Sequence, residues 1–224
     1  MLFMTVPTAG SHPELLNNLI RDCGLPLANI IVVTTKESVI LPTGVIEVSD
    51  LESPNIQRWW NIGIEEAKRR GATAVAVVND DLKVSPETLP ALAQALIDSG
   101  ATIASPSRPP TKDKKYQRPL TPYSPRIWGC LWVLDVNTTL RANEKYVWWY
   151  GDCDLDIRAR RDFGGVVNVN VRYEHLHSGE GTAKSPALQA QSDLDAITYQ
   201  ADYARLITLT RVVNQLKGFF RVTK

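Results

Sequence analysis

The feature of this sequence that leaves a folding chain least freedom is the alternation, through roughly its first hundred residues, of short β-branched apolar runs with helical segments bounded by start and stop signals. The runs Leu2–Val6, Ile30–Thr34, Val45–Val48, Ala74–Val78 and Thr102–Ala104 are apolar nearly throughout, as strands covered on both faces must be. Between them, Ser11 and Glu14 have capping-box spacing before a helix that Gly24 stops. Ser53-Pro54 opens a second helix that Gly71 ends, and Ser85-Pro86 a third that Gly100 ends. Repetition of strand and helix in this order predicts an α/β, Rossmann-like domain with a mostly parallel central sheet flanked by helices.

Beyond that block the pattern changes. Six prolines and the cluster Lys112-Asp113-Lys114-Lys115 between Ser105 and Pro125 exclude regular structure there and predict a long surface loop. A strand is expected over Ile127–Leu134, a helix over Asp154–Asp162 ended by Gly164-Gly165, and a strand over Val166–Arg172. From Pro186 onward Tyr199, Tyr203, Leu206, Val213, Leu216 and Phe220 recur at three- or four-residue steps. The chain therefore divides into a domain at 1–185 and a C-terminal helical extension at 186–224. The apolar stripe of that extension suits docking on the parent domain, with a homodimer contact or a membrane surface as the other readings.

Length and charge bound the rest. The 224 residues suffice for one α/β domain with an appended helix. Lys and Arg number 25 against 24 Asp and Glu, so a net charge of +1 offers no electrostatic reason to expect nucleic acid as a partner. No apolar stretch approaches the roughly 18 residues of a transmembrane span, and the N-terminus runs directly into a strand; the chain reads as soluble and cytoplasmic. Cys23, Cys130 and Cys153 lie far apart without CxxC spacing, which suits reduced thiols better than a disulfide framework or a structural zinc site. Cys153 stands between two aspartates, whose charge disfavours a thiolate.

Three groups of residues could do chemistry. The run Ala74–Val78 ends abruptly in Asn79, Asp80 and Asp81, and in open α/β sheets ligands bind beyond the carboxyl ends of the strands. Adjacent carboxylates there suit Mg²⁺ or Mn²⁺ bridging to a diphosphate, or else they begin a turn and cap the next helix. A second acidic group, Asp152, Asp154 and Asp156, follows Trp148, Trp149 and Tyr150, aromatics that either wall a pocket or belong to the core. His175 and His177, at i and i+2 on an extended segment, point to one side, where either could complete a metal site.

Taken together in order, these segments resemble the nucleotide-diphospho-sugar transferases of the GT-A fold, particularly glycosyltransferase family 2, over roughly Thr5 to Gly179. The matching features are Val6-Pro7 at the end of the first strand, the helix motif Asn61-Ile62-Gly63-Ile64, and Asn79-Asp80-Asp81 as the DxD-like metal motif. Trp128-Gly129-Cys130 and the acidic motif Gly151-Asp152-Cys153-Asp154-Leu155-Asp156-Ile157-Arg158 follow, before the histidines. The resemblance implies that Asp81 holds a divalent cation against a sugar nucleotide's diphosphate and that Asp152 is the general base, with Asp154 its competitor. His177, or else His175, would be a further metal or phosphate contact. Pro7, Thr8, Thr35, Asn61, Asn79 and Asp80 would line the nucleotide site.

Two departures from the family pattern stand out. Thr34 and Thr35 occupy the place of the usual nucleobase-contacting Asp, and Gly151 stands where a glutamate often precedes the base. No Gln-x-x-Arg-Trp motif is present, which favours a single-transfer enzyme over a processive synthase. The expectation is an inverting glycosyltransferase using a UDP-, GDP- or dTDP-sugar with Mn²⁺ or Mg²⁺ and a hydroxyl-bearing acceptor, whether glycan, protein or small molecule. Its rivals are a sugar-phosphate nucleotidyltransferase, for which Pro7–Ser11 offers a poor phosphate loop with one glycine, and a non-catalytic sugar- or nucleotide-binding module.

Overall fold

The computed structural model describes all residues except 36–38, 109–111, 120, 177–184 and 223–224. The strands are β1 Leu2–Thr8, β2 Ile30–Thr34, β3 Ile46–Ser49, β4 Ala74–Val78, β5 Leu82–Val84, β6 Ile103–Pro106, β7 Lys114–Tyr116, β8 Leu131–Asp135, β9 Val166–Val169 and β10 Tyr173–His175. The helices are α1 Pro13–Asp22, α2 Ile56–Arg69, α3 Thr88–Ser99, α4 Gly151–Asp162, α5 Pro186–Asp202 and α6 Ala204–Val222.

Eight strands form one sheet in the order β3-β2-β1-β4-β8-β6-β9-β7, and β10 pairs with β5 in a separate ribbon. The sheet is parallel at β1·β2, β2·β3, β1·β4 and β6·β9. It is antiparallel at β4·β8, β6·β8 and β7·β9. Alternate side chains divide between two cores. Met4, Val6, Ile30, Val32, Ala76, Val78, Leu131 and Val133 pack with α1 and α3 on one face. Phe3, Ile31, Val33, Val75, Val77, Trp132 and Leu134 pack with α2 and α4 on the other.

Helix starts differ from the sequence expectation. α1 is capped by His12, without a side-chain bond, not by Ser11. α2 starts after Asn55, whose Oδ1 accepts from the N–H groups of Gln57 and Arg58, so Asn55 outcompetes Ser53 as the cap. α3 starts after Glu87, with Ser85 one turn upstream. Three strand expectations also change. The strand expected over Ile127–Leu134 begins only at Leu131 and runs to Asp135. Lys114–Tyr116, in the proline-rich stretch, is an edge strand that tolerates flanking prolines because its pairing partner lies on one side only. The run Val166–Arg172 ends as a strand at Val169, and Tyr173–His175 then leaves the sheet to pair with β5.

The C-terminal helices are tied to the domain. Asp195 of α5 is buried and accepts from the backbone N–H groups of Val147, Trp148 and Trp149 at 3.2, 2.8 and 2.8 Å. Tyr199 stacks on Tyr150 at 4.9 Å between centroids. The first part of the apolar stripe thus docks on the domain, whereas Leu216 is exposed and the Phe220 side chain lies outside the described residues.

Candidate active site

The carboxyl ends of β1 and β4, the approach to β8 and the start of α4 enclose a cleft of about 600 Å³. This is where the strand-end rule puts a ligand, since the strands deliver polar side chains there and the helix starts deliver N–H groups. Pro7 and Thr8 line it from β1, Asn79, Asp80 and Asp81 from the β4–β5 turn, and Trp128, Gly129 and Cys130 from the segment entering β8. Gln57, Trp59 and Trp60 face it from the first turns of α2, and Trp148, Trp149, Tyr150 and Leu188 complete the far wall. The aromatic triplet before α4 is therefore pocket wall, with Trp148 set edge-on against Trp59 at 5.8 Å.

The acidic turn is divided in its tasks. Thr8 Oγ1 donates to Asp80 Oδ2 at 2.5 Å and accepts from Gly10 N–H at 2.9 Å, which ties the end of β1 to the end of β4. Burial raises the Asp80 pKa, and the neighbouring Asp81 charge adds to the rise. Asp81 turns the other way. Its Oδ2 lies 3.1 Å from His175 Nε2 across the β5–β10 ribbon, while its Oδ1 is buried with no hydrogen-bond partner among the described residues. The hydrogen bond to Asp81, helped by the Cys130 thiol and opposed by burial, raises the His175 pKa to about 9. His177 lies outside the described residues.

The second acidic group separates as sharply. Asp152 lies at the cleft, where its Oδ2 accepts from Gly129 N–H at 3.1 Å and its Oδ1 from its neighbour Cys153 N–H at 2.8 Å. Burial raises its pKa against these two bonds. Asp154, the competitor for the base, does not line the cleft: it is buried under α5, bound to Arg158 at 2.6 Å and to the Tyr203 hydroxyl at 2.6 Å. Asp156 is likewise structural, held by Arg160 at 3.0 Å and Tyr123 at 2.8 Å. The Cys153 thiol is pushed well up, chiefly by burial and only then by the flanking carboxylates.

Two residues expected at a nucleotide site are used otherwise. Asn61 clamps the 142–144 segment, donating to Ala142 O at 2.9 Å and Glu144 Oε1 at 2.8 Å and accepting from Ala142 N–H at 2.9 Å. Its neighbour Gly63 lets α2 lie directly on β1, since a Cβ there would stand 1.8 Å from Thr5 Oγ1. Thr35 continues β2 and donates through its N–H and hydroxyl to Thr8 O at 3.1 and 3.3 Å, without lining the cleft.

Several lining residues were not singled out from sequence. Gln57 is fully buried with both amide atoms unpaired among the described residues, and a Cβ on Gly151 would lie 2.0 Å from its Oε1. The Gln57 amide thus fills the space that a side chain at position 151 would take. A glutamine inside the otherwise apolar stripe Trp59, Trp60, Gly63 and Ile64 was the available signal. Arg108, just past the end of β6, is the other.

No family profile matches the chain, and no curated protein matches it. Solved structures do. TarS 1–349 of S. aureus superposes with a TM-score of 0.57 at 11% identity, over 85% of this chain and 64% of that one. GalNAc-T7, solved with UDP, GalNAc and Mn²⁺, superposes with a TM-score of 0.58 at 14% identity, over 78% of this chain and 43% of that one. The fold is that of the GT-A glycosyltransferases. TarS 1–349 has also been solved with UDP-GlcNAc, and that structure superposes with a TM-score of 0.53 at 13% identity, over 80% of this chain and 61% of that one. The chain thus spans less than two-thirds of the length of each of these GT-A structures.

A divalent cation fits this cleft in one way. Among the described residues no group of three or more His, Cys, Asp or Glu side chains forms a self-contained metal cage. The orphaned Asp81 Oδ1 and the adjoining His175 supply two candidate ligands, and a hard cation that keeps water or takes phosphate oxygens can accept the remainder from its substrate. Loading such an ion requires His175 to surrender its proton.

Proposed function

We propose that the chain is an inverting glycosyltransferase that moves a sugar from a nucleoside-diphosphate sugar (UDP, GDP or dTDP) to an acceptor hydroxyl, with Mn²⁺ or Mg²⁺ held by Asp81 and His175. The observation that carries this reading is the opposition, in one cleft, of a partly buried carboxylate on α4, Asp152, to the acidic turn Asn79-Asp80-Asp81 at the end of β4. Two carboxylate centres with separate hydrogen-bonding environments suit two separate roles.

Asp152 is the general base. Its two backbone N–H bonds hold the carboxylate in one orientation and leave each oxygen a further lone pair, and its raised pKa makes it a stronger proton acceptor than an exposed aspartate. The acceptor O–H proton passes to Asp152 as that oxygen bonds to the anomeric carbon. The bond from that carbon to the diphosphate oxygen breaks, and the nucleoside diphosphate leaves with the electron pair. Attack from the side opposite the leaving group inverts the anomeric configuration. The cation, when bound, supplies positive charge against the leaving diphosphate. Asp80 holds the β1 and β4 ends in register through Thr8, and the Trp59, Trp148 and Trp149 wall offers apolar faces to a sugar ring while excluding water.

Incubation with UDP-, GDP- and dTDP-sugars and simple glycoside acceptors, followed by NMR of the product's anomeric proton, tests the reading. The expected product has the configuration opposite to the donor's and does not form when EDTA is present. A product of retained configuration, or transfer that EDTA does not affect, overturns it.

A further inference from the structure

A cleft lined by Asp80, Asp81 and Asp152 repels the very ligand proposed for it, because a nucleoside diphosphate carries several negative charges. Among the described residues Arg108 is the only arginine or lysine that lines it. Its guanidinium carbon lies 5.0 Å from the ring centre of Trp128 and 4.9 Å from that of Tyr173. Both rings are themselves fixed. Trp128 Nε1 donates to Pro106 O at 3.0 Å and its backbone N–H donates to Ser105 Oγ at 3.2 Å, while Tyr173 stands opposite Val84 in the β5–β10 ribbon.

The ribbon also relates Arg108 to the acidic turn. Tyr173 and His175 are two residues apart on β10 and so project from the same face, about 7 Å from one another along the strand. Tyr173 carries Arg108, and His175 carries Asp81. One short strand therefore sets a cation and the candidate metal ligands side by side, at a spacing that a diphosphate spans. Aromatic contact orients the guanidinium plane, and its in-plane N–H fork matches phosphate oxygens in a way a lysine cannot.

We propose that Arg108, held by the Trp128 and Tyr173 rings, is the cationic side chain that binds the diphosphate of the nucleotide in this cleft, beside the divalent ion. The proposal rests on the glycosyltransferase reading for the ligand's class but not for the existence of the anion site. Arg108 is exposed, so its replacement leaves the core intact.

Isothermal titration with UDP, GDP and dTDP in the presence of Mn²⁺, each beside its nucleoside, tests it. For the best-bound nucleotide, Arg108→Ala should weaken the diphosphate about 10- to 100-fold and leave the nucleoside within about twofold. Arg108→Lys should recover only part of the loss, and Trp128→Leu, which leaves the charge but removes one ring, should lie between. Equal diphosphate affinity in wild type and Arg108→Ala overturns the proposal and leaves the glycosyltransferase reading standing. If the wild type binds none of the three nucleotides, that reading falls, and inorganic pyrophosphate with Mn²⁺ decides the anion site alone: weaker binding by Arg108→Ala supports it, and unchanged or absent binding overturns it.

Discussion

His175 Nε2 lies 3.1 Å from Asp81 Oδ2, joining the turn after β4 to the strand that follows β9 through a two-stranded ribbon outside the main sheet. The contact leaves Asp81 Oδ1 buried and unpaired. Removing the imidazole strips the carboxylate of its remaining side-chain partner among the described residues. His175→Ala is expected to lower the stability of the metal-free protein by about 1–3 kcal/mol, since a partly buried carboxylate loses its charged partner. It should also weaken Mn²⁺ binding by an order of magnitude or more. Calorimetric unfolding in EDTA and direct Mn²⁺ titration check the two effects, and an unchanged Mn²⁺ affinity contradicts the assignment of His175.

Asp152 and Asp154 are two residues apart and should respond in opposite ways. Asp152→Asn keeps the shape and removes the base, so turnover falls by about 10²- to 10⁴-fold, far more than the loss of one backbone N–H bond to the amide could lower the folded fraction. Asp154→Asn weakens the Arg158 and Tyr203 contacts that seat α5, so the melting temperature falls by several degrees while turnover per folded molecule stays within severalfold. A loss of chemistry from Asp154→Asn at full stability would make Asp154 the base.

Gln57 and Gly151 share one space. Gly151→Ala sets a Cβ 2.0 Å from the Gln57 amide and should cost about 1–3 kcal/mol. The same substitution in a Gln57→Ala background should cost far less. A double-mutant cycle with no coupling would show that the two side-chain positions are independent.

Burial raises the Asp152 pKa, and the base works only when ionised. At saturating Mn²⁺, which displaces the His175 proton, activity should therefore fall as pH drops through that raised pKa, at a higher pH than for an exposed aspartate. The acid limb of kcat/KM against pH reads this directly. A limb at or below the range of an exposed aspartate contradicts the role.

Much of the sheet was legible because β1, β2, β4 and β8 carry apolar side chains on both faces, a pattern that only a doubly covered strand requires. The strand-end position of Asn79-Asp80-Asp81 was legible for the same reason. What the sequence obscured were pairings between distant segments. Nothing local announces that Tyr173–His175 leaves the run begun at Val166 to join β5, yet that exchange brings His175 to Asp81 and Tyr173 to Arg108. Side chains with two plausible uses were equally hidden: Asp154 and Asn61 carry the polarity of site residues, and only the positions of Tyr203, Arg158 and Ala142 reveal them as clamps. Arg108 was masked by the prolines around it.

The most direct test of the account is release of nucleoside diphosphate from UDP-, GDP- and dTDP-sugars with Mn²⁺ and an acceptor, compared among wild type, Asp81→Ala and Asp152→Asn. The account predicts that at least one donor turns over in the wild type and that each variant loses at least about 100-fold. Turnover that survives in both variants would contradict it.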